Sequence, residues 1–279
     1  MNDPSETPES LRQRWLSGTW KNALDAIFAE AAQTTRRISA GFLRSLNLPD
    51  FDGRLDLRGI NFFVPLDPLI HGNDKSPLRL HGINFRDIDF SHAVMRFSAG
   101  ETKLSNVLFC GAILEDFNTW DCVISTCDFS HAFMPWFSAS RGTIFTNSKF
   151  DYTRIRHHAS IHGYARFESC SFLKLDWRMI HFRGCCFSNC RFTGHLQKSY
   201  AQKTSSQGFA VFRDYLKKRE YSGYNVFVNC SFGNLTVTRF SVQVSALTLK
   251  HCVEFPTSTL PSKEGRTYLD YYSNNVKPQ

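Results

Sequence analysis

Three histidines, His157, His158 and His162, come nearest in this chain to the spacing of a metal centre, since imidazoles four residues apart converge on one side of a helix. No glutamate lies between them and no third ligand follows at a fixed distance, so no metal and no cofactor is expected. Nine cysteines raise a second prospect, but no Cys-x-x-Cys pair exists to suggest a zinc ribbon or a dithiol redox motif. Neither a phosphate-binding glycine loop nor a Gly-x-Ser-x-Gly elbow occurs, and no repeated carboxylate pair argues for acid/base work. No catalytic residue is therefore expected, and the chain reads as a protein without enzymatic activity. The cations are more informative. Allowing one coil of twenty-two residues, Arg156 aligns with Arg178 and then with Lys198, a ladder of positive charge that would repel itself unless an anion lay beside it. Arg183 and the run Lys217, Lys218, Arg219 extend this region, and these seven residues form the candidate partner-binding set.

What must position them is a chain with a five-residue period. Large apolar residues fall at Phe167, Phe172, Trp177, Phe182, Phe187 and Phe192, and again at Phe227, Phe232, Val237, Val242, Leu247 and Cys252. Neither a helix nor a flat strand repeats every five residues. A chain that turns a corner after each short strand does, and four such steps close one coil of about twenty residues. The residue two before each large one is often small, as in Cys127 before Phe129, Ala132 before Met134, Cys170 before Phe172 and Cys190 before Phe192. A bulky column and a small column together fill a narrow tube. Six cysteines (Cys122, Cys127, Cys170, Cys185, Cys190 and Cys230) fall on the small column, where a thiol behaves as a compact apolar side chain. Core-facing unpaired thiols fit a reducing cytoplasm.

This pattern resembles the pentapeptide-repeat family, whose motif is a small residue, Asp or Asn, then Leu or Phe, then two variable positions. Cys127-Asp128-Phe129, Ile88-Asp89-Phe90, Ile83-Asn84-Phe85 and Ile60-Asn61-Phe62 carry the likeness. The match spans about residues 51–255, with departures such as Cys170-Ser171-Phe172 and Cys190-Arg191-Phe192. The resemblance implies an all-β solenoid, a right-handed quadrilateral β-helix, that serves as a binding surface or a mimic of another molecule. It also implies an alternative role, modulation or protection of a DNA-handling enzyme such as a type II topoisomerase by imitation of DNA. Imitation of DNA requires a strongly negative rod. Here residues 51–140 carry seven basic and eleven acidic side chains, a net of −4, whereas 141–220 carry fifteen basic and five acidic, a net of +10. The basic half points instead to an anionic partner, with nucleic acid as one alternative and another protein as the leading one. Its arginines show no interleaved aromatic platform for bases.

Three parts are expected. Residues 1–50 form a helical cap, with Thr7 before Pro8 opening a first helix and Thr19 capping a second whose stripe of Trp20, Leu24, Ile27, Phe28 and Ala31 covers the open first coil. Residues 51–255 form the coils, broken over the Pro-rich 64–77 and by a loop and helix at 193–226, where Phe209, Phe212 and Leu216 have helical spacing. The tail, 256–279, with Tyr268, Tyr271 and Tyr272, covers the last coil or meets a second copy in a homodimer. The register is expected to slip by one residue at Phe145 and by two before Phe167. Asp89-Phe90-Ser91-His92-Ala93 recurs as Asp128-Phe129-Ser130-His131-Ala132, which puts His92 and His131 on one face two coils apart. No apolar run approaches the ~20 residues of a membrane span, so no membrane partner is expected.

Overall fold

The computed structural model describes residues 6–34, 38–62, 78–81, 84–162, 165–175, 180–183, 185–196, 225–231, 235–237 and 247–250. Three helices open the chain: α1 (Pro8–Gln13), α2 (Gly18–Gln33) and α3 (Ala40–Ser45). Thr7 and Ser10 cap α1 reciprocally, each side chain bonding the other's backbone, with Pro8 at the first helical position. The second cap differs from expectation. The backbone turns two residues earlier, so that α2 starts at Gly18 behind Ser17 and Thr19 lies inside it. Gly18 meets that turn with a φ of +59°.

After the helices the chain enters a parallel β-solenoid. Its longest sheet has ten strands, of which only Asp50–Phe51 runs antiparallel to its neighbour Arg54–Asp56. Nine rungs at the usual strand spacing make this sheet about 38 Å long. Successive rungs lie one coil apart in sequence: 19 residues from Asn84 to Lys103, 20 from Lys103 to Val123, 21 from Val123 to Ile144, 22 from Ile144 to Arg166 and 20 from Arg166 to Cys186. The slips at Phe145 and before Phe167 are thus present. A six-stranded sheet forms the opposite side, from Leu78–His81 through Val94–Gly100, Ile113–Trp120, Phe133–Ser140 and Arg154–His162 to Ile180–Arg183. Part of the surplus in the longest regular coil is taken up there. Between Met134↔Ile155 and Trp136↔His158 the pair Arg156–His157 stands opposite Pro135 alone. A bulge suits this position, because proline has no N–H to give to the ladder.

Two rungs are longer. Leu55 pairs with Ile88 across 33 residues, which accommodates the Pro-rich segment, and Cys186 pairs with Val226 across 40. Gly194–Leu196 pairs with Leu235–Val237, so the coil continues through Leu196 instead of breaking at 193. The surplus over a 20-residue coil is 20 residues, smaller than the 34 suggested by counting from one phenylalanine to the next. The helical insertion itself and the tail lie outside the described residues.

The core is the tube. Phe90, Phe109, Phe129, Phe150, Phe172 and Phe192 stack rung on rung along one side with centroid separations of 5.6, 5.0, 4.9, 5.2 and 5.0 Å. Phe145, Phe167 and Phe187 form a second stack, and the two meet edge to face. Offset and edge-on ring pairs are the favoured aromatic geometries. All six small-column cysteines are buried, and none of them forms a disulfide.

Corners recur every five residues in left-handed backbone. Asn106, Gly111, Asp116, Asp121, Thr126 and His131 all have positive φ. Asn, Asp and Gly tolerate this region best, which is why these types gather there. Four corners per coil define a four-sided solenoid.

Candidate interaction face

One corner column carries three exposed side chains in a row, His131, Tyr152 and Lys174. Gly59, His92, Gly111, His131, Tyr152 and Lys174 occupy the same corner on consecutive rungs. Each of the first five donates its backbone N–H to the carbonyl of the residue before the next corner, as His131 does to Asp151 and Tyr152 to Leu173. His92 and His131 therefore share a face with Gly111 between them, as the internal repeat requires. A Cβ at 111 would lie 2.7 Å from the His92 ring, so a side chain there would require the imidazole to move. Burial pushes the His92 imidazole below its ordinary value, helped by the charge of Arg12. Further along, the His131 ring stacks on Tyr152 at 4.8 Å, and Lys174 Nζ lies 5.3 Å from the centre of the Tyr152 ring.

Beside this corner, outward positions of the six-stranded sheet hold Ile113, Phe133 and Arg154 as successive rung partners. The Arg154 guanidinium lies over the Phe133 ring at 5.7 Å. Trp136, at the far edge of the same face, is 49% exposed, and Tyr152 is 42% exposed. The sequence reading found no aromatic platform among the cations. Phe133, Trp136 and Tyr152 supply one, and it was missed because they occupy the variable positions that the five-residue count skips. Charges on the face are partly settled within the chain: Arg96 pairs with Asp116, and Lys149 lies 3.6 Å from Asp128. Asp151 accepts from the Ser171 hydroxyl at 2.6 Å and the Leu173 amide at 2.8 Å. Arg154 and Lys174 instead have aromatic rings as their described side-chain contacts.

Two of the seven predicted cations lie among the described residues. Arg156 sits in the bulge opposite Pro135, and Arg183 ends a strand in which it stands opposite His162. Over Ala159–His162 the offset to the next rung is 21 residues, against the 22 on which the Arg156–Arg178 alignment was counted. Arg178, Lys198, Lys217, Lys218 and Arg219 lie outside the described residues. His157, His158 and His162 belong to a strand, so the helical convergence they would need is not formed. Among the described residues no group of three or more metal-ligating side chains comes together.

A second cluster is buried where the helices meet the first coil. Asp56 receives Arg14 through both carboxylate oxygens at 2.9 and 2.6 Å and Arg58 at 3.0 and 2.9 Å. Arg58 reaches Glu6 at 2.7 Å, and Trp15 Nε1 donates to the Arg58 carbonyl at 2.8 Å. The Arg14 guanidinium also covers the Trp20 ring at 3.9 Å. Gly59, with a φ of +70°, lets α1 close down, since a Cβ there would lie 2.6 Å from the Leu11 carbonyl oxygen. This cluster joins cap to coil: the terminal guanidinium nitrogens of Arg14 and Arg58 bond Asp56, Glu6 and the Arg58 carbonyl, while the buried Arg14 Nε is left without a partner among the described residues.

No family model and no curated protein matches the chain. Similar solved structures include HetL, a pentapeptide repeat protein involved in heterocyst differentiation regulation in the cyanobacterium Nostoc sp. strain PCC 7120, at 11% identity over 77% of this chain and 94% of that one, TM-score 0.24. Full-length QnrB1, a plasmid-mediated fluoroquinolone resistance protein, is 13% identical over 71% of this chain and 90% of its own, TM-score 0.25. Likeness at this level transfers neither partner nor activity. The four-sided coil rests on the corner spacing and rung register of the chain itself.

Proposed function

We propose that this protein is a non-catalytic interaction protein whose rigid solenoid presents the face bearing Phe133, Trp136, Tyr152, Arg154 and Lys174 to another macromolecule. The observation that carries the reading is the exposure of Trp136 and Tyr152 on rungs fixed by ladder hydrogen bonds. Trp, Tyr and Arg are the side chains that most often dominate binding energy, and a scaffold already ordered has little conformational freedom left to lose on association. Catalysis is disfavoured by the chemistry of the groups present. Burial and the nearby Asp128 push the Cys110 thiol up to about 12, and burial does the same to Cys127, so neither of these two forms a reactive thiolate near neutrality. The buried carboxylate of Asp56 is held by two guanidiniums and has no proton to exchange.

Photo-crosslinking tests the reading. A benzophenone side chain at position 152 is expected to give a discrete adduct in cells of the source organism. The same probe at Val123, equally exposed on another side of the coil, is expected to give none. Adducts from 123 and none from 152 would move the interaction to a different face. A second reading, direct nucleic-acid contact, is favoured by the net +10 over 141–220. It predicts salt-sensitive binding of oligonucleotides.

A further inference from the structure

We infer that the face bounded by the His131–Tyr152–Lys174 corner and by Trp136 docks an acidic, partly apolar segment of a partner protein. Arg154 and Lys174 receive its carboxylates, and Trp136 and Phe133 receive its apolar side chains. This rests on the interaction reading above and adds the chemistry of the partner.

Three observations converge. First, the charges on this face are unequally satisfied. Arg96 and Lys149 have carboxylates of their own chain, whereas the described contacts of Arg154 and Lys174 are rings. A ring contact holds a cation in place but consumes none of its N–H donors, so both side chains are pre-positioned with hydrogen-bonding capacity to spare. Secondly, a carboxylate beside the corner discriminates between anionic partners. Asp151, held by the Ser171 hydroxyl and the Leu173 amide, stands next to Tyr152 on the rung above His131, and a phosphate backbone, charged at every nucleotide, would pass it. A peptide that places carboxylates only opposite Arg154 and Lys174 avoids it. Thirdly, the apolar part of the face is substantial: Ile113, Phe133 and Tyr152 are at least partly exposed alongside Trp136. A purely electrostatic phosphate contact has no use for Ile113 and Phe133, and a protein segment does.

The test uses the full-length chain, a random-peptide phage library and an oligothymidine strand as probes. Peptides recovered are expected to combine Asp or Glu with aliphatic or aromatic residues. Their synthetic versions are expected to lose about tenfold or more in affinity with Arg154→Glu, Lys174→Glu or Trp136→Ala, the loss typical of a hot-spot side chain. Arg166→Glu, the same charge change at an exposed position on another side, is expected to leave affinity within about twofold, as a rim charge does. Exchanging one peptide carboxylate for lysine is expected to restore binding to Arg154→Glu or Lys174→Glu, which separates charge pairing from damage to the coil. Acidic peptides that bind all three variants as well as the parent would overturn the assignment of this face while leaving the interaction reading in place. Oligothymidine binding that depends on Arg154, Lys174 and Trp136, with no acidic peptide recovered, would overturn the protein-segment inference in favour of nucleic acid. Recovery of nothing by either probe, together with no crosslink at 152, would overturn both readings.

Discussion

Asp56 and Asp89 are rung partners on consecutive coils, both buried, yet their surroundings move their proton affinities in opposite directions. Burial pushes both carboxyls up. At Asp56 the hydrogen bonds from Arg58 and Arg14 together outweigh burial and hold it below its ordinary value of 3.8. Asp89 has the Ser91 hydroxyl and amide, which offset its burial only in part, and it stays above 3.8.

Opposite pH dependences of stability follow for the two. A depressed carboxyl stabilises the fold above its unfolded value and loses that contribution as pH falls through the folded one; a raised carboxyl stabilises it while protonated and loses that contribution as pH rises. Asp56→Asn is expected to cost about 3–5 kcal/mol near neutrality by breaking a buried ion pair, with the cost shrinking in acid. Asp89→Asn keeps the acceptor for Ser91 and is expected to raise stability near neutrality, with the gain vanishing below the ordinary value of 3.8. Urea unfolding of both variants across acid and neutral pH checks the pair. A loss of stability at neutral pH in Asp89→Asn would refute the assignment.

Phe187 is fully buried and stacks on Phe167 at 4.9 Å. Phe187→Ala is expected to cost about 3–5 kcal/mol, because neighbouring rungs are fixed at strand spacing and cannot collapse into the cavity. Chemical denaturation measures it, and a loss below about 1 kcal/mol would contradict a close-packed tube.

The thiols provide a kinetic check. Cys127 is buried with its thiol raised to about 12, so it is expected to resist alkylation in the folded protein at mildly alkaline pH and to react at once in urea. Titration of the denatured, unreduced chain is expected to approach all nine cysteines. Mass spectrometry of native-labelled protein identifies which thiols reacted, and rapid native labelling of Cys127 would place it outside the core.

Gly59→Ala and Gly53→Ala separate backbone strain from a contact. Both glycines have positive φ, +70° and +72°, so each substitution carries about 1–2 kcal/mol of left-handed strain. Only at Gly59 does the added carbon meet the backbone of Leu11. Hydrogen exchange across α1 and α2 is expected to accelerate in Gly59→Ala and not in Gly53→Ala. Equal behaviour of the two would show that the cap does not depend on this close approach.

The tube was legible because its constraint is strictly periodic: one bulky side chain must enter at each step of five, so Phe129, Phe145, Phe167 and Phe187 announce their own burial. Even the slips were readable, since a bulge adds a whole residue to the count. The joint between Arg14, Asp56 and Arg58 was not, because its members lie 42 and 2 residues apart and no period connects a helix side chain to the variable position of a coil. Trp15 was hidden for the same reason, being buried through the Arg58 carbonyl outside any helical stripe. The aromatic face escaped notice because outward positions obey no rule of type, so Trp136 and Tyr152 look like any other variable residue until the rungs are stacked.

The unequal coil lengths also govern how the chain assembles. Rungs 19–22 residues apart close loops of nearly constant size, so once two coils have met, each further coil adds at a similar entropic cost and folding can spread in both directions as a zipper. The 40-residue closure between Cys186 and Val226 costs only about 0.6 kcal/mol more than a coil of half that length. Among the described residues the two long closures thus flank a stretch of near-equal coils, Asn84 to Cys186, which carries the proposed face.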